Sequence, residues 1–269
     1  MKPGIYSDIS NAAYHAGEGV SKSNLDMLNK APALLQWSRS APEDSSKKTA
    51  LNVGTAMHTM LLEPEKFTDQ FVIEPAINRR TNAGKQQAEE FEAACKASGK
   101  MVITGEEARK LNLMRESVMA HPEARQLMEA EGEAEASAYW IDPETGVKCR
   151  CRPDKLITKA GFIVDVKTTG DMSKVARSVF DYRYHVQDAF YSDGYANASG
   201  EATNGFLFLF ISTAIECGRY PVRIFQLDQE AKTIGRYAYQ ANLRTYAECM
   251  ESGVWPGVEE LSLPAWATK

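Results

Sequence analysis

Five cysteines are scattered over 269 residues, at 95, 149, 151, 217 and 249. Their odd number and irregular spacing argue against a disulfide framework. No apolar run approaches the ~20 residues that span a bilayer. The opening Met1-Lys2-Pro3-Gly4-Ile5-Tyr6 lacks the apolar stretch of a signal peptide. A cytoplasmic protein is therefore expected. No Gly-x-x-x-x-Gly-Lys-Ser/Thr occurs, so any hydrolysis should not need ATP. No Gly-x-Ser-x-Gly occurs either, and the four histidines give no basis for a nucleophilic triad. A surplus of positive charge is also missing. Lys and Arg number 31 against 36 acids, for a net charge of −5.

Apolar residues make up 43% and charged residues 25%, which is ordinary globular composition. A chain of this length can bury one sizeable core. Residues 1–269 are expected to form one α/β domain, a central mixed β-sheet flanked by helices. Ser38 to Lys48 and residues 75–86 read as loops, the latter through Pro75, Asn78, Asn82 and Gly84. Ser23 and Asp26 fit a capping box for an N-terminal helix with a stripe of Leu25, Leu28 and Leu35; Ser21 could equally be the cap. Gly105 to Ala120 has helical periodicity, and Pro122 ends it and opens another helix. Strands are expected at 138–141, 147–152 and 162–168, with a turn at 142–146. Residues 175–198 read as one helix, with Val179, Tyr182, Val186 and Ala189 or Phe190 on its buried side. The run Gly205 to Ser212 (GFLFLFIS) reads as a central strand buried on both faces. A partner strand at 222–227 and a long helix at 230–252 follow.

The chemistry concentrates around Pro153-Asp154 and Asp165-Val166-Lys167. Side chains alternate along a strand, so Asp165 and Lys167 share one face while Val164 and Val166 share the other. Two carboxylates suit a hard divalent cation such as Mg2+, which prefers oxygen ligands at roughly 2.1 Å. An ammonium on the same face can orient or deprotonate a water. Gly54-x-x-x-His58 lies upstream and Gln187-x-x-x-Tyr191 downstream. Gln187 and Tyr191 are four apart and share a helix face.

The order Gly-x-x-x-His, Pro-Asp, Asp-x-Lys, Gln-x-x-x-Tyr resembles the RecB-type branch of the PD-(D/E)XK nuclease superfamily. The phrases GIYSDISNAAYHAGEGVSKSNLD, NRRTNAGK, CRCRPDK, DVKTT, DYRYHVQDAFYSDGY and IECGRYPV extend the resemblance, from Gly4 to Trp266, to the catalytic domain of RecE-type exonucleases. The resemblance implies metal ligation by His58, Glu135, Asp154, Asp165 and the Val166 carbonyl. It also implies catalytic roles for Asp154, Asp165 and Lys167, with Gln187 and Tyr191 beside them. Glu131 and Glu133 compete with Glu135 for its place. Some RecB-type nucleases hold a four-cysteine iron–sulfur cluster, and the cysteine positions here argue against one.

The implied activity is a Mg2+-dependent, two-metal 5′→3′ exodeoxyribonuclease, with Mn2+ able to substitute. It would degrade one strand of linear duplex DNA to mononucleotides and leave a 3′ tail. The implied partners are duplex DNA ends, further copies of the chain in a ring-shaped tetramer, and a RecT-type single-strand annealing protein, in recombination and repair. Ser21-Lys22-Ser23 opens a helix, where free N–H groups suit an anion. It is either a plain cap or the seat of a terminal 5′-phosphate. Arg79 and Arg80 either contact phosphates or belong to a solvated loop. Lys148, Arg150, Arg152, Lys155 and Lys159 face only Asp154 as a local acid, so a basic cleft within an acidic exterior is expected.

Overall fold

The GFLFLFIS run is strand β9 (Gly205–Ser212), buried along nearly its whole length in the computed structural model, which describes residues 1–42, 48–216, 218–258, 260–263 and 267. It lies inside a five-stranded sheet ordered β10 (Val222–Phe225), β9, β8 (Phe162–Thr169), β7 (Lys155–Ile157), β4 (Glu133–Ala134). β8 and β9 are parallel, and the other neighbours are antiparallel, so the sheet is mixed. The register sets Asp165 opposite Phe208 and Lys167 opposite Phe210.

The expected alternation of β8 holds. Val164 and Val166 enter a core with Met57 of α4 (Lys48–Leu62) and with Leu111, Met114 and Val118 of α7 (Gly105–Ala120). Ile163 enters a different core with Phe206, Phe208 and Phe210, against α9 (Val175–Asp181) and α10 (Tyr184–Ser199). Helices thus cover both faces of the sheet. Val164, Val166 and Ile163 are each fully buried, at ~1.5–3 kcal/mol of apolar burial per side chain.

A second, antiparallel sheet joins β1 (Gly4–Tyr6), β5 (Ser137–Ile141) and β6 (Lys148–Cys151). It packs on α10 with α2 (Lys22–Lys30), α3 (Pro32–Ser38) and α11 (Gln229–Ser252). The rings of Trp140 and Phe190 are centred 4.9 Å apart. Gly194 lets α10 approach this sheet, because a Cβ there would sit 2.4 Å from the Trp140 ring. Cys149 and Cys151 are buried and unbridged in this layer, as small hydrophobes. Around the two sheets lie α1 (Asn11–Ala16), α5 (Phe67–Gln70), a parallel pair of β2 (Phe71–Ile73) and β3 (Met101–Ile103), α6 (Asn82–Ser98) and α8 (Pro122–Glu129).

Four local expectations are corrected. Of the two serines left open as the cap of α2, Ser21 takes the place: its N–H and hydroxyl both donate to Asn24 Oδ1, at 2.9 Å. Asp26 instead pairs with Lys22 and Arg183. The leucine stripe spans two helices, since Pro32 starts a new one. The loop expected over 75–86 stops at Thr81, whose hydroxyl caps α6 by accepting from the Gly84 N–H. Gly84 is needed because a Cβ there would lie 2.0 Å from the Asn78 carbonyl oxygen. The helix expected over 175–198 is broken at Tyr182 and Arg183, where Arg183 takes a left-handed φ of 53°. Tyr182 is consequently exposed rather than buried. Residues 43–47 of the polar stretch 38–48, and Cys217, lie outside the described residues.

Candidate active site

Asp154 stands just before β7, and β7 pairs with β8. Its Oδ2 accepts from the Val166 N–H at 2.6 Å, locking the acid to the strand that carries Asp165 and Lys167. Asp165 is 2% exposed. Its Oδ1 accepts from Gln187 Nε2 at 2.6 Å, and its Oδ2 lies 2.5 Å from Lys167 Nζ. Asp165 thus sits almost wholly buried between the Gln187 amide and the Lys167 ammonium. Gln187 therefore orients the acid. Tyr191, one turn further along α10, packs among Phe190 and Phe206, and burial pushes its hydroxyl well above the usual tyrosine range.

His58 reaches the same place from α4, with Nδ1 at 3.4 Å from Asp154 Oδ2. Glu135 arrives from the end of β4, and its backbone N–H donates to the Asp154 carbonyl at 3.0 Å. One ligand atom each from His58, Glu135 and Asp154 falls within 4.8 Å of the others, at a cleft also lined by Thr55, Glu63 and Arg152. Glu135 holds a φ of 54°, a conformation that costs a non-glycine residue ~1–3 kcal/mol. The rival acids are engaged elsewhere: Glu133 accepts from Ser7 and Glu131 pairs with Lys159. Asp165 stands outside the three-residue cluster, turned toward Lys167 and Gln187.

The charges of this centre are mismatched in a way a cation would relieve. Burial and the nearby Asp154 charge raise Glu135 to about 7. Burial also raises Asp165, against the pull of Lys167. Asp154 is held low despite its burial, by His58, Lys167 and the Val166 N–H. Burial alone would lower His58, but Asp154 outweighs it and brings the imidazole to about 9. Lys167 is likewise raised over its burial by Asp165 and Asp154. Three acids and an imidazole gathered in one partly buried place suit a hard divalent cation.

Tyr184 was not foreseen. Lys167 Nζ sits 4.9 Å from its ring centroid and Lys22 Nζ 5.9 Å. The ring thus connects the lysine of β8 to the start of α2. Its place three residues before Gln187, on the same helix face, was the available signal. Ser21 and Ser23 hydroxyls lie 2.9 Å apart there. Lys22 is engaged by Asp26 at 2.7 Å and by the Tyr182 carbonyl at 2.7 Å. Arg79 is held between Glu74 and Glu92, at 3.0 Å from each, and Arg80 is exposed on the same loop.

The basic segment does not form the expected cleft. The Arg150 guanidinium donates to the carbonyls of Tyr14, His15 and Gly17, and Arg152 donates to Ser137 Oγ and the Ile9 carbonyl. Lys155 donates to the Met128 carbonyl, and Lys148 and Lys159 pair with Glu18 and Glu131. Arg150, Arg152 and Lys155 are thus spent on the fold and Lys148 and Lys159 on surface pairs; Arg152 alone among the five also borders the cleft.

Residues 21–262 match the family described as a PDDEXK-like domain of unknown function (DUF3799). The chain belongs to that family. No curated protein matches it. Among solved structures, a candidate exonuclease from Eubacterium rectale shares the fold of this PDDEXK-like chain with a TM-score of 0.61 at 14% identity, covering 91% of this chain and 87% of that one. A phage-related exonuclease from Haemophilus somnus 129PT gives 0.34 at 13% identity, covering 67% and 91%. An alkaline exonuclease from Laribacter hongkongensis gives 0.28 at 14% identity, covering 64% and 86%. The last two scores are too low to bear on the site. Among the described residues, no helix is long and apolar enough to cross a membrane.

Proposed function

We propose that this PDDEXK-like domain is a metal-dependent, ATP-independent exodeoxyribonuclease of the RecE type. The observation that carries the reading is the place of Asp154, which clusters with His58 and Glu135 and is tied through the Val166 N–H to the strand that carries Asp165 and Lys167. Mg2+, with Mn2+ able to replace it, would be held by His58, Glu135, Asp154, Asp165 and the Val166 carbonyl. When bound it supplies charge stabilisation at the scissile phosphate and a water acidified enough to attack. Lys167 would orient an attacking water on the Asp165 side of the strand. Gln187 fixes the Asp165 carboxylate, and Tyr191 closes the buried side against solvent.

The start of α2 lies on the other side of Tyr184, where Ser21, Lys22 and Ser23 would receive a terminal 5′-phosphate. Engagement of Lys22 requires it to exchange its bond to the Tyr182 carbonyl for one to the phosphate. Arg79 would have to leave its two glutamates to contact DNA, so Arg80 is the more available of the pair. The full reading is a cytoplasmic 5′→3′ enzyme on linear duplex that releases mononucleotides. It leaves a 3′ tail for a RecT-type annealing protein, acts in recombination and repair, and assembles as a ring-shaped tetramer.

The test is digestion of end-labelled linear duplex and closed circular duplex with Mg2+. Mononucleotides released only from the linear substrate, starting at the 5′ end, are expected. Cutting of the circle would make it an endonuclease, and binding without hydrolysis a DNA-binding module.

A further inference from the structure

The break between α9 and α10 is built rather than frayed. Arg183 occupies the left-handed region, a strained conformation that proteins keep where surrounding structure enforces it. Its guanidinium donates to the Leu25 carbonyl at 3.0 Å, to Asp26 at 3.1 Å and to Asn242 at 2.6 Å. An unbroken helix would have turned Tyr182 inward with Val179 and Val186. The break turns it outward instead. Phe180 and Tyr182 are left 73% and 62% exposed within three residues of one another.

These rings border a cleft of about 700 Å³ that also contains Lys22, Asn29, Lys30 and Tyr184. Tyr182 and Tyr184 are centred 5.7 Å apart, and Tyr184 lies under Lys167. A line of aromatic rings therefore runs outward from the lysine of β8. Lys22, Lys30 and Arg183 face Asp26 and Asp181 here, and Asp181 is already paired with Arg177 at 3.0 Å. The cleft thus combines exposed π-faces with surplus positive charge. That combination suits single-stranded nucleic acid, whose bases stack on aromatic rings while its phosphates meet cations.

We propose that Phe180 and Tyr182 form a stacking shelf for unpaired bases of a DNA strand end, with Lys22 and Lys30 beside its phosphates. The proposal rests on the nuclease reading for its substrate class. It assigns to the α9–α10 break the task of holding a frayed end next to Lys167.

The test compares binding of fluorescent oligothymidylate and a same-length abasic oligonucleotide to the full chain in EDTA, where no cleavage occurs. Wild type should bind the base-bearing strand about tenfold more tightly than the abasic one. The double variant Phe180→Ala/Tyr182→Ala should lose that discrimination while keeping its melting midpoint. Tyr182→Trp should keep the discrimination. A wild type that does not distinguish the two strands overturns the shelf, as does a double variant that still does. A double variant with unchanged discrimination but an altered oligomeric state by light scattering would reassign the rings to a contact between copies. Mg2+-dependent digestion of linear duplex by the same wild-type protein separates the two readings. Cleavage without base discrimination removes the shelf alone. Discrimination without cleavage keeps a single-strand site and removes the nuclease.

Discussion

Residues 148–159 and 162–169 are neighbours in the chain and use their charge in opposite ways. The first carries five cations and resembles a nucleic-acid footprint in composition. Arg150, Arg152 and Lys155 nevertheless donate to carbonyls or a hydroxyl inside the protein, and Lys148 and Lys159 pair with surface glutamates. The second carries only Asp165 and Lys167, and Asp165 lies almost wholly buried between Gln187 and the Lys167 ammonium. What separates them is how the charges are gathered: the cations of the first segment are met one by one, whereas Asp165 shares a buried centre with Asp154 and Glu135, and carboxylates buried together are expensive. A fold retains such a cluster of acids where a cation completes it. The amount of charge in a segment is thus a poorer guide to chemistry than the charge its own fold leaves unmet.

The sharpest way to break this comparison is Asp165→Asn, which keeps an acceptor for Gln187 but removes the charge. Hydrolysis of linear duplex should fall by several orders of magnitude, with the melting midpoint nearly unchanged. Retained cleavage would remove Asp165 from the centre. On the other segment, Arg150→Met should leave three carbonyls short of their donor and destabilise the protein by about 3 kcal/mol. Urea unfolding measures it, and a cost near zero would return Arg150 to the candidates for DNA contact.

A smaller effect follows from His58. Its folded value of about 9 lies above the ordinary 6.5. In metal-free protein the His58–Asp154 pair therefore contributes fully below about 6.5 and is lost as pH rises through about 9. A cation must displace the same proton, so metal affinity should climb across that window. Calorimetric titrations at several pH values check this, and His58→Asn should flatten that climb. An affinity that is already flat in wild type would leave His58 out of the ligand set. Smaller again, Ser21→Ala or Lys22→Ala should slow digestion about tenfold on 5′-phosphorylated ends and little on 5′-hydroxyl ends. Equal slowing on both ends would reduce Ser21 to a helix cap.

Much of this was legible in the sequence because it follows local periodicity. The ends of α7 fall where the helical pattern of Gly105 to Ala120 and Pro122 put them, and β9 announces itself through an unbroken apolar run. The placement of Asp165 and Lys167 on one face of β8 needed only strand alternation. The break at Arg183 was not legible, because its cause is tertiary: Leu25, Asp26 and Asn242 are distant in sequence. The fate of the basic segment was hidden for the same reason, since its acceptors come from residues 9–17, Met128 and Ser137. Glu135 could be chosen over Glu131 and Glu133 only by resemblance. The structure adds a physical reason in its left-handed backbone and its link to Asp154.

Lys167→Ala tests the central claim most directly, with Mg2+ binding by calorimetry and hydrolysis of labelled linear duplex measured on one preparation. If Lys167 acts on the attacking water while the acids and His58 hold the cation, metal and DNA binding stay within a few-fold and hydrolysis is abolished. Cleavage that survives, or metal binding that disappears with the lysine, would contradict that division of labour.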